Sequence, residues 1–160
     1  MAGNYVFSTV AGHIVGRRRA IGFLQDEKDP SAFDAKVKFD SLSPKKDREL
    51  RSRFDYWLSG AGPNDKWFHS WPNDHVVKEC FCFRWDENKQ HNRLYGFLYH
   101  PQPRTNARFE LCVLIYHEAK NDESTDRNLL VNCMRLRADP LIRAAIGLRF
   151  PDEIAKGDKK

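Results

Sequence analysis

The sequence lacks a hydrophobic run that could cross a membrane, since a spanning helix needs about 20 consecutive apolar residues. Its amino-terminal segment, residues 1–15, also lacks the pattern of a signal peptide, in which a cationic start precedes an apolar core. Here Arg17, Arg18 and Arg19 follow the apolar residues instead. From these absences we expect a cytoplasmic protein without a membrane partner. Internal repeats and low-complexity segments are also absent, which excludes repeat architectures.

A strong excess of either charge is missing too. The chain has 27 Lys and Arg residues against 22 Asp and Glu residues, which gives a net charge of +5. This mild excess permits a nucleic-acid partner without requiring one. With 160 residues, of which 41% are hydrophobic, the chain is long enough to bury a core of its own. We expect one domain over residues 1–150 and a flexible tail at 151–160.

Cysteine is scarce, and its spacing does not suit a zinc site. The four cysteines contain no C-x-x-C pair, the arrangement that tetrahedral zinc sites favour. Cys80 and Cys82 project from the same face of a predicted strand, while Cys112 and Cys133 stand alone in apolar surroundings. We therefore expect four buried thiols, with no metal and no other cofactor.

The first half of the chain carries uneven secondary-structure signals. Residues 4–15 are rich in β-branched and aromatic residues and predict a first strand. The basic segment 16–30 is compatible with a helix or a loop. Residues 31–42 have apolar residues at roughly helical spacing and predict a helix. The Gly, Pro, Asn and Asp residues of 60–74 predict a loop.

The segment that follows Ser43 has the clearest helix signal. Ser43 can cap the first amides, and Pro44 suits the first turn because its missing N–H would have no partner there. The apolar residues recur at i, i+4, i+7 and i+8 and form one stripe: Leu50, Phe54, Trp57 and Leu58. Gly60 supplies the end of this predicted amphipathic helix.

Three strand-like segments follow, at residues 76–85, 93–100 and 109–116. The first two alternate between side-chain types, and the third is almost wholly apolar, as in an inner strand covered on both faces. The polar segments between them predict loops and an antiparallel meander. With a closing helix at 124–138, this order indicates an α+β fold, whose helices pack on one face of a mostly antiparallel sheet.

If helices cover one face of the sheet, the other face is exposed. On strand 93–100, one side carries a cation and three aromatic residues: Arg93, Tyr95, Phe97 and Tyr99. Aromatic rings stack on unpaired bases and guanidinium groups hold phosphates, so this side is a candidate platform for single-stranded RNA. The alternative is that Phe97 and Tyr99 fill a second small core.

Further candidate residues stand near the strand ends. Lys78 and Arg84 lie on the same side of the predicted strand 76–85, and His117 and Lys120 follow the third strand. In a meander, Arg84, Arg93, His117 and Lys120 would converge near one edge. A lone histidine at a strand end is more often structural than catalytic, but the neighbouring cations strengthen the catalytic interpretation.

These segments resemble the RelE/ParE/HigB superfamily of bacterial and phage toxins, including its phage-encoded branch. Family members carry a strand that ends in an arginine, a strand that begins with Arg-x-Tyr, and a hydrophobic strand that leads into a lysine-rich segment. The corresponding stretches here are "ECFCFRW", "NRLYGFLYH" and "FELCVLIYHEAKND", within about residues 30–138. Arg84, Arg93 with Tyr95, and Lys120 fall on the motif positions.

The resemblance implies a RelE-like fold and the toxin of a type II toxin–antitoxin system, which cleaves mRNA on the ribosome, inhibits translation and is neutralised by a cognate antitoxin protein. Such a metal-independent endoribonuclease needs a base, an acid and cations that stabilise the charged phosphorane. Arg84 and Arg93 suit charge stabilisation, and His117 suits proton transfer because its unperturbed pKa is near neutral. The residues that would then bind RNA are Lys78, Tyr95, Phe97, Tyr99 and Lys120.

The sequence also departs from the family pattern at positions where cations are usual, with Cys80 and Cys82 on the first meander strand and Asn121 after the third. These departures favour a second hypothesis, a RelE/ParE-like protein that binds and inhibits a nucleic-acid machine such as gyrase without catalysis. A third hypothesis is a phage-encoded protein that keeps only the fold. The two arginines and the histidine favour catalysis.

Overall fold

The computed structural model describes residues 4–10, 18–122 and 124–153. Within them, six strands form one sheet with the order β1-β2-β6-β5-β4-β3, accompanied by four helices. The elements are β1 (Tyr5–Thr9), β2 (Arg19–Asp26), α1 (Ala35–Asp40), α2 (Pro44–Leu58), β3 (Phe68–Ser70), β4 (Cys80–Glu87), β5 (Gln90–Tyr99), β6 (Glu110–Lys120), α3 (Arg127–Arg137) and α4 (Pro140–Arg149). The predicted α+β class and mostly antiparallel sheet are confirmed.

The amino-terminal part of the sheet differs from the prediction. β1 is shorter than the predicted strand 4–15, of which residues 11–15 lie outside the described residues. The segment 16–30, predicted as a helix or loop, contains β2, which pairs antiparallel with β1 and parallel with β6. Residues 20–24 of β2 are buried on both faces of the sheet. Such a strand is apolar throughout and shows no alternation in its sequence.

Helix α2 forms where its cap and its apolar stripe predict it. The hydroxyl of Ser43 accepts a hydrogen bond from the backbone N–H of Lys46 at 3.3 Å. The buried residues of the helix belong to the predicted stripe: Leu50, Phe54 and Trp57. Gly60 follows the helix with φ of +85°, a conformation that costs glycine little. Helix α1 is shorter than the predicted helix 31–42.

Strands β4, β5 and β6 form the predicted antiparallel meander, with β6 as an inner strand between β2 and β5. β4 begins at Cys80 rather than at residue 76, because residues 76–79 form turns. The β4–β5 connection is a tight turn in which Asn88 and Lys89 have φ of 53° and 62°, as in a type I′ hairpin. The short β3, inside the predicted loop 60–74, pairs with β4 at the edge.

A β-bulge interrupts the pairing of β5 with β6. The register shifts between Tyr95 and Gly96, and Ile115 is the extra residue on β6. Glycine is required opposite the bulge, since a Cβ on Gly96 would lie 1.6 Å from the carbonyl oxygen of Val113. One extra residue reverses the alternation, so the β6 side chains after the bulge exchange faces relative to an uninterrupted strand.

Helices cover both faces of the sheet, which corrects the prediction that they gather on one. α1 and α2 pack against one face, called the α2 face below, and α3 and α4 pack against the other, the α3 face. The physical reason is that the inner strands carry apolar residues on both sides, and each side has to be buried. None of the described helices has the length and apolar character needed to span a membrane.

The closing helix predicted at 124–138, with a further turn or two after Pro140, corresponds to two separate helices. α3 lies inside the range 124–138 and is capped at its start by Asp126. α4 follows it and is capped by Asp139. Beyond α4, the carboxylate of Asp152 accepts hydrogen bonds from the backbone N–H groups of Arg104 and Thr105, the latter at 2.8 Å. Pro151 and Asp152 of the predicted flexible tail therefore contact the β5–β6 loop, and residues 154–160 lie outside the described residues.

Candidate nucleic-acid interface

Arg84 and Arg93, two of the predicted catalytic residues, lie next to each other on the α3 face. They are direct cross-strand partners on β4 and β5, and Arg93 is also opposite Glu118 on β6. The adjacent cross-strand row consists of His69, Cys82 and Tyr95. Like charges that face each other across two strands are unfavourable. The arginine pair therefore makes this patch of the sheet a place where negative charge is stabilised.

The Arg93 guanidinium belongs to a buried polar network. It is only 3% exposed, and it donates hydrogen bonds to the Tyr95 hydroxyl at 3.1 Å and to the carbonyl of Ser124 at 2.7 Å. Tyr95 donates in turn to Glu118 at 3.2 Å, whose carboxylate is 3.9 Å from Arg93. Burial opposes the charge on Arg93, but the bond to Tyr95 and the nearby negative groups outweigh it and raise the pKa of Arg93.

A cavity of about 200 Å³, called the arginine cavity below, opens beside this network. Its lining residues come from β3, β4, β5 and the segment before α3: His69, Trp71, Cys82, Arg84, Arg93 and Thr125. Burial raises the pKa of Cys82 to about 12, so its thiol is neutral and does not repel an anion. Two guanidinium groups, an imidazole and a hydroxyl thus line a space suited to a phosphate group.

His69 and Trp71 were not among the residues that the sequence pointed to. They lie at the end of the predicted loop 60–74, where β3 places His69 in the row beside the arginines. The His69 ring contacts Trp71 edge-on, with centroids 4.7 Å apart, and its Nδ1 is 3.3 Å from the carboxylate of Asp65. Trp71 stacks in turn on Tyr95. The sequence signal was the run "WFHSW", in which aromatic residues and a histidine interrupt an otherwise polar loop.

His117, the predicted proton carrier, lies on the α2 face, on the other side of the sheet from the arginines. It is opposite Leu94 rather than Arg93 because the bulge at Ile115 reverses the alternation of β6. Its Nε2 is 2.8 Å from the Asn92 side-chain oxygen, and its ring stacks on Trp85. Burial and the nearby positive charge of Lys38 lower the pKa of His117. The prediction that His117 meets the arginines at one edge is therefore wrong.

The predicted aromatic platform is wrong as well, because the face that should be exposed lies under α3 and α4. Tyr95 and Phe97 are fully buried in the core of the α3 face. For Phe97, this is the alternative in which the ring fills a second core. Tyr99 is partly exposed, but the guanidinium groups of Arg137 and Arg143 lie 5.6 and 6.0 Å from its ring centroid. No base can reach the buried rings in this conformation.

The two predicted phosphate-binding lysines occupy different surroundings. Lys120 is 3.5 Å from Glu118 and so lies near the arginine network. Lys78 is exposed in the turns that precede β4 and does not line the arginine cavity. Lys120 thus extends the cationic surface, and Lys78 does not belong to it.

A second and larger space, called the edge cleft below, lies where the edge strand β3 stops and β4 continues. Its volume is about 410 Å³. Its lining residues come from α2, the loop before β3 and the β4–β5 hairpin: Arg53, Asp65, Lys66, Trp67, Arg84, Trp85, Asp86, His91 and Asn92. His91 forms a close pair with Asp86, 2.8 Å between Nδ1 and Oδ1. Arg84 lines both spaces and so lies at their common boundary.

The four cysteines are all buried, as predicted, and none of them forms a disulfide. Cys82 and Cys80 lie in the core of the α3 face with Cys133, whereas Cys112 lies in the core of the α2 face. Burial raises the pKa of the Cys112 thiol well above its ordinary value. Among the described residues, no three His, Cys, Asp or Glu side chains form a group that could hold a metal ion.

In comparisons with known proteins, no family model, no curated protein and no solved structure matches this chain. The resemblance to the RelE/ParE/HigB superfamily therefore stays a prediction from short motifs.

Proposed function

We propose that the protein binds single-stranded RNA across the arginine cavity and cleaves it without a metal ion. The observation that supports this proposal best is the pairing of Arg84 with Arg93 beside His69 in one cavity. Paired guanidinium groups suit the oxygens of a phosphodiester, whose charge increases as the pentavalent phosphorane forms. Imidazole is the side chain that most often transfers protons in catalysis.

RNA is the favoured substrate because it carries its own nucleophile. The 2′-hydroxyl attacks the adjacent phosphorus, and the bond to the 5′-oxygen of the next nucleotide breaks. The departing 5′-oxygen takes a proton from water, so that a 2′,3′-cyclic phosphate and a 5′-hydroxyl result. His69 would accept the proton of the 2′-hydroxyl, with Asp65 holding its ring through Nδ1. Arg84 and Arg93 would stabilise the phosphorane. His69 thus takes the role that the sequence assigned to His117.

The resemblance adds expectations about the biological setting. It implies that the RNA is mRNA on the ribosome, that the protein inhibits translation as the toxin of a toxin–antitoxin system, and that a cognate antitoxin neutralises it. Induced expression in bacteria should then arrest growth and deplete translated mRNA. Arrest with intact mRNA and accumulated DNA double-strand breaks would favour a gyrase inhibitor instead.

RNA binding without cleavage is a second candidate function, and one observation favours it. Arg93 is engaged by Tyr95, Ser124 and Glu118 and is almost fully buried, as expected of a residue that stabilises the fold. In that case Arg84 and Lys120 would hold the RNA backbone, and no proton would be transferred.

The test is an incubation of the purified protein with single-stranded RNA in the presence of a chelator, followed by analysis of the product ends. We expect fragments with 2′,3′-cyclic phosphate ends and no cleavage of DNA of the same sequence. His69→Asn should lower the cleavage rate by at least about a hundredfold while RNA affinity is retained. Replacement of Arg108, an exposed arginine in the β5–β6 loop, by Ala is the charge-matched control.

The outcomes separate the two candidates. If the parent protein binds the RNA but leaves it intact, the second candidate, RNA binding without cleavage, is correct. Absence of both binding and cleavage would overturn the proposal as a whole. Cleavage that His69→Asn leaves unchanged would remove His69 from the mechanism.

A further inference from the structure

We infer that the edge cleft is a second nucleotide subsite, which binds the neighbouring nucleotide of the same RNA strand. The inference rests on the proposed function, because the strand has to cross the arginine cavity first. It assigns a role to Lys66, Trp67 and His91, which neither the sequence motifs nor the proposed reaction uses. The substrate class becomes single-stranded RNA of several nucleotides.

The position of Arg84 joins the two spaces. Its guanidinium donates a hydrogen bond to the carbonyl of Asp65 at 2.8 Å, and its backbone N–H donates to the carbonyl of Trp67 at 2.8 Å. The side chain is therefore held at the sheet edge by the loop before β3. A strand whose phosphate lies against Arg84 reaches the arginine cavity on one side and the edge cleft on the other.

The sizes of the two spaces suit different parts of a nucleotide. Sites for small organic ligands usually measure about 300–1,000 Å³. The edge cleft, at about 410 Å³, falls in this range, whereas the arginine cavity, at about 200 Å³, is smaller. The arginine cavity therefore suits a phosphodiester group alone, and the edge cleft has room for a base and its sugar.

The lining of the edge cleft combines cations with an indole ring. Lys66 is exposed at its rim, and Arg53 is held in place by a hydrogen bond to Glu49 at 2.8 Å. Trp67 is partly exposed, and the guanidinium of Arg53 lies 6.0 Å from its ring centroid. The indole and the guanidinium together form a cationic and aromatic surface, and bases stack on both kinds of group. A T-shaped contact with Tyr56 fixes the position of the indole.

The cleft also contains carboxylates. Their presence favours recognition of a nucleoside over nonspecific attraction of the phosphate backbone. Asp65 and Asp86 lie among the cations Arg53, Lys66 and Arg84. Asp86 pairs with His91, whose ring carries a second nitrogen, Nε2, that can hydrogen-bond a base edge or a ribose hydroxyl. A mixed lining of this kind recognises a nucleoside, whereas a cleft with cations alone would recognise only the backbone.

The inference is tested by comparing a dinucleotide of uridylate with a hexanucleotide of uridylate. The dinucleotide places its single phosphate in the arginine cavity and has no second phosphate to carry the strand past Arg84, whereas the hexanucleotide continues past Arg84 into the edge cleft. We expect the parent protein to bind the hexanucleotide about tenfold or more tightly, because one stacked base contributes about that factor. Trp67→Leu and Lys66→Ala should each remove most of this advantage, raise KM for the hexanucleotide, and leave kcat and the dinucleotide reaction unchanged.

Three comparisons make the failure of this inference distinct from failure of the proposed function. Arg84→Gln should weaken the binding of both RNAs, and Arg108→Ala should weaken neither. If Lys66→Ala binds the hexanucleotide like the parent while Arg84→Gln does not, the subsite is overturned and the proposed function stands. If the parent binds neither RNA, both are overturned. Lys66 is exposed, so Lys66→Ala remains informative even where Trp67→Leu lowers the melting temperature.

Discussion

The two faces of the sheet are both buried, but they are buried by different chemistry. The core of the α2 face is a cluster of aromatic and aliphatic side chains, in which Phe54 lies between Phe39 and Phe83 with centroid distances of 5.6 and 4.6 Å. The α3 face contains a polar network around Arg93 and Tyr95 within its apolar core, and the arginine cavity opens beside it. The α2 face thus serves mainly stability, and the α3 face carries the candidate chemistry.

This difference between the two faces shows which surroundings allow a buried guanidinium group. A buried guanidinium is tolerated only when hydrogen bonds and an opposite charge compensate its desolvation. On the α3 face, the partners of Arg93 among the described residues include Tyr95, Ser124 and Glu118. On the α2 face, Arg19 lies instead at the rim of the cluster, with its guanidinium over the Trp57 ring.

The largest expected effect is a loss of stability when the α2 face is disrupted. Phe54 is 1% exposed, and Phe54→Ala should lower the free energy of unfolding by about 3–5 kcal/mol because it leaves a cavity among the rings. Urea denaturation of the purified protein measures this change. Leu148→Ala, at a residue that is 86% exposed, is the control and should change stability by less than about 0.5 kcal/mol. Similar losses in both variants would show that the α2 face is not the main core.

A smaller loss of stability is expected on the α3 face, and here it is accompanied by loss of function. Arg93→Gln removes the buried hydrogen bonds from the guanidinium to the Tyr95 hydroxyl and the Ser124 carbonyl, and should cost about 1–3 kcal/mol because these groups lose their charged donor. Arg84 is less buried, and Arg84→Gln should cost less than about 1 kcal/mol. Each variant should reduce RNA cleavage by about a hundredfold or more, as expected for the loss of one charge-stabilising donor.

Two further measurements sharpen this comparison of the arginines. Arg93→Lys should recover only part of the activity, since an ammonium group cannot offer the bidentate fork of a guanidinium. Cleavage assays and urea denaturation on the same samples separate function from folding. If Arg84→Gln retains full activity, the arginine cavity is a structural feature of the fold and the proposed site is wrong.

The sequence was informative wherever a local pattern decides the structure. The cap at Ser43, the stripe of α2 and the alternation of β4 and β5 depend on neighbouring residues, and the structure contains all of them. β2 was missed because an inner strand that is apolar on both faces has no alternation to detect. Its pairing partner β6 is far away along the chain, and only the assembled sheet reveals the parallel ladder.

The candidate site was predicted in part, and the failures have two physical causes. Alternation placed Arg84 and Arg93 correctly on one face, but it cannot show whether helices will cover that face, so Tyr95 and Phe97 were mistaken for an open platform. The second cause is the bulge at Ile115. Without it, an uninterrupted alternation from Val113 would place His117 opposite Arg93, where Glu118 lies instead.

The smallest expected effect is a difference between the faces in the pH dependence of stability. On the α2 face, burial lowers the pKa of His117 below its ordinary value of 6.5. The unfolded chain therefore binds a proton at His117 more readily than the folded protein does. As the pH falls through 6.5 toward the lower pKa of the folded state, the unfolded state is favoured, and the free energy of unfolding decreases.

On the α3 face, stability is lost at high pH instead of low pH. The reason is that burial raises the pKa of Tyr95 from 10.0 to about 12. The folded protein keeps the phenol proton that the unfolded chain loses above pH 10.0, so stability decreases as the pH rises from there toward 12. His117→Gln should flatten only the acidic slope, and Tyr95→Phe only the alkaline one, in urea denaturation repeated across the pH range. Differences in slope, rather than in absolute stability, carry the result, since each substitution also changes packing. If His117→Gln leaves the acidic slope intact, another group binds the proton that lowers stability. If Tyr95→Phe leaves the alkaline slope intact, another group releases the proton at high pH.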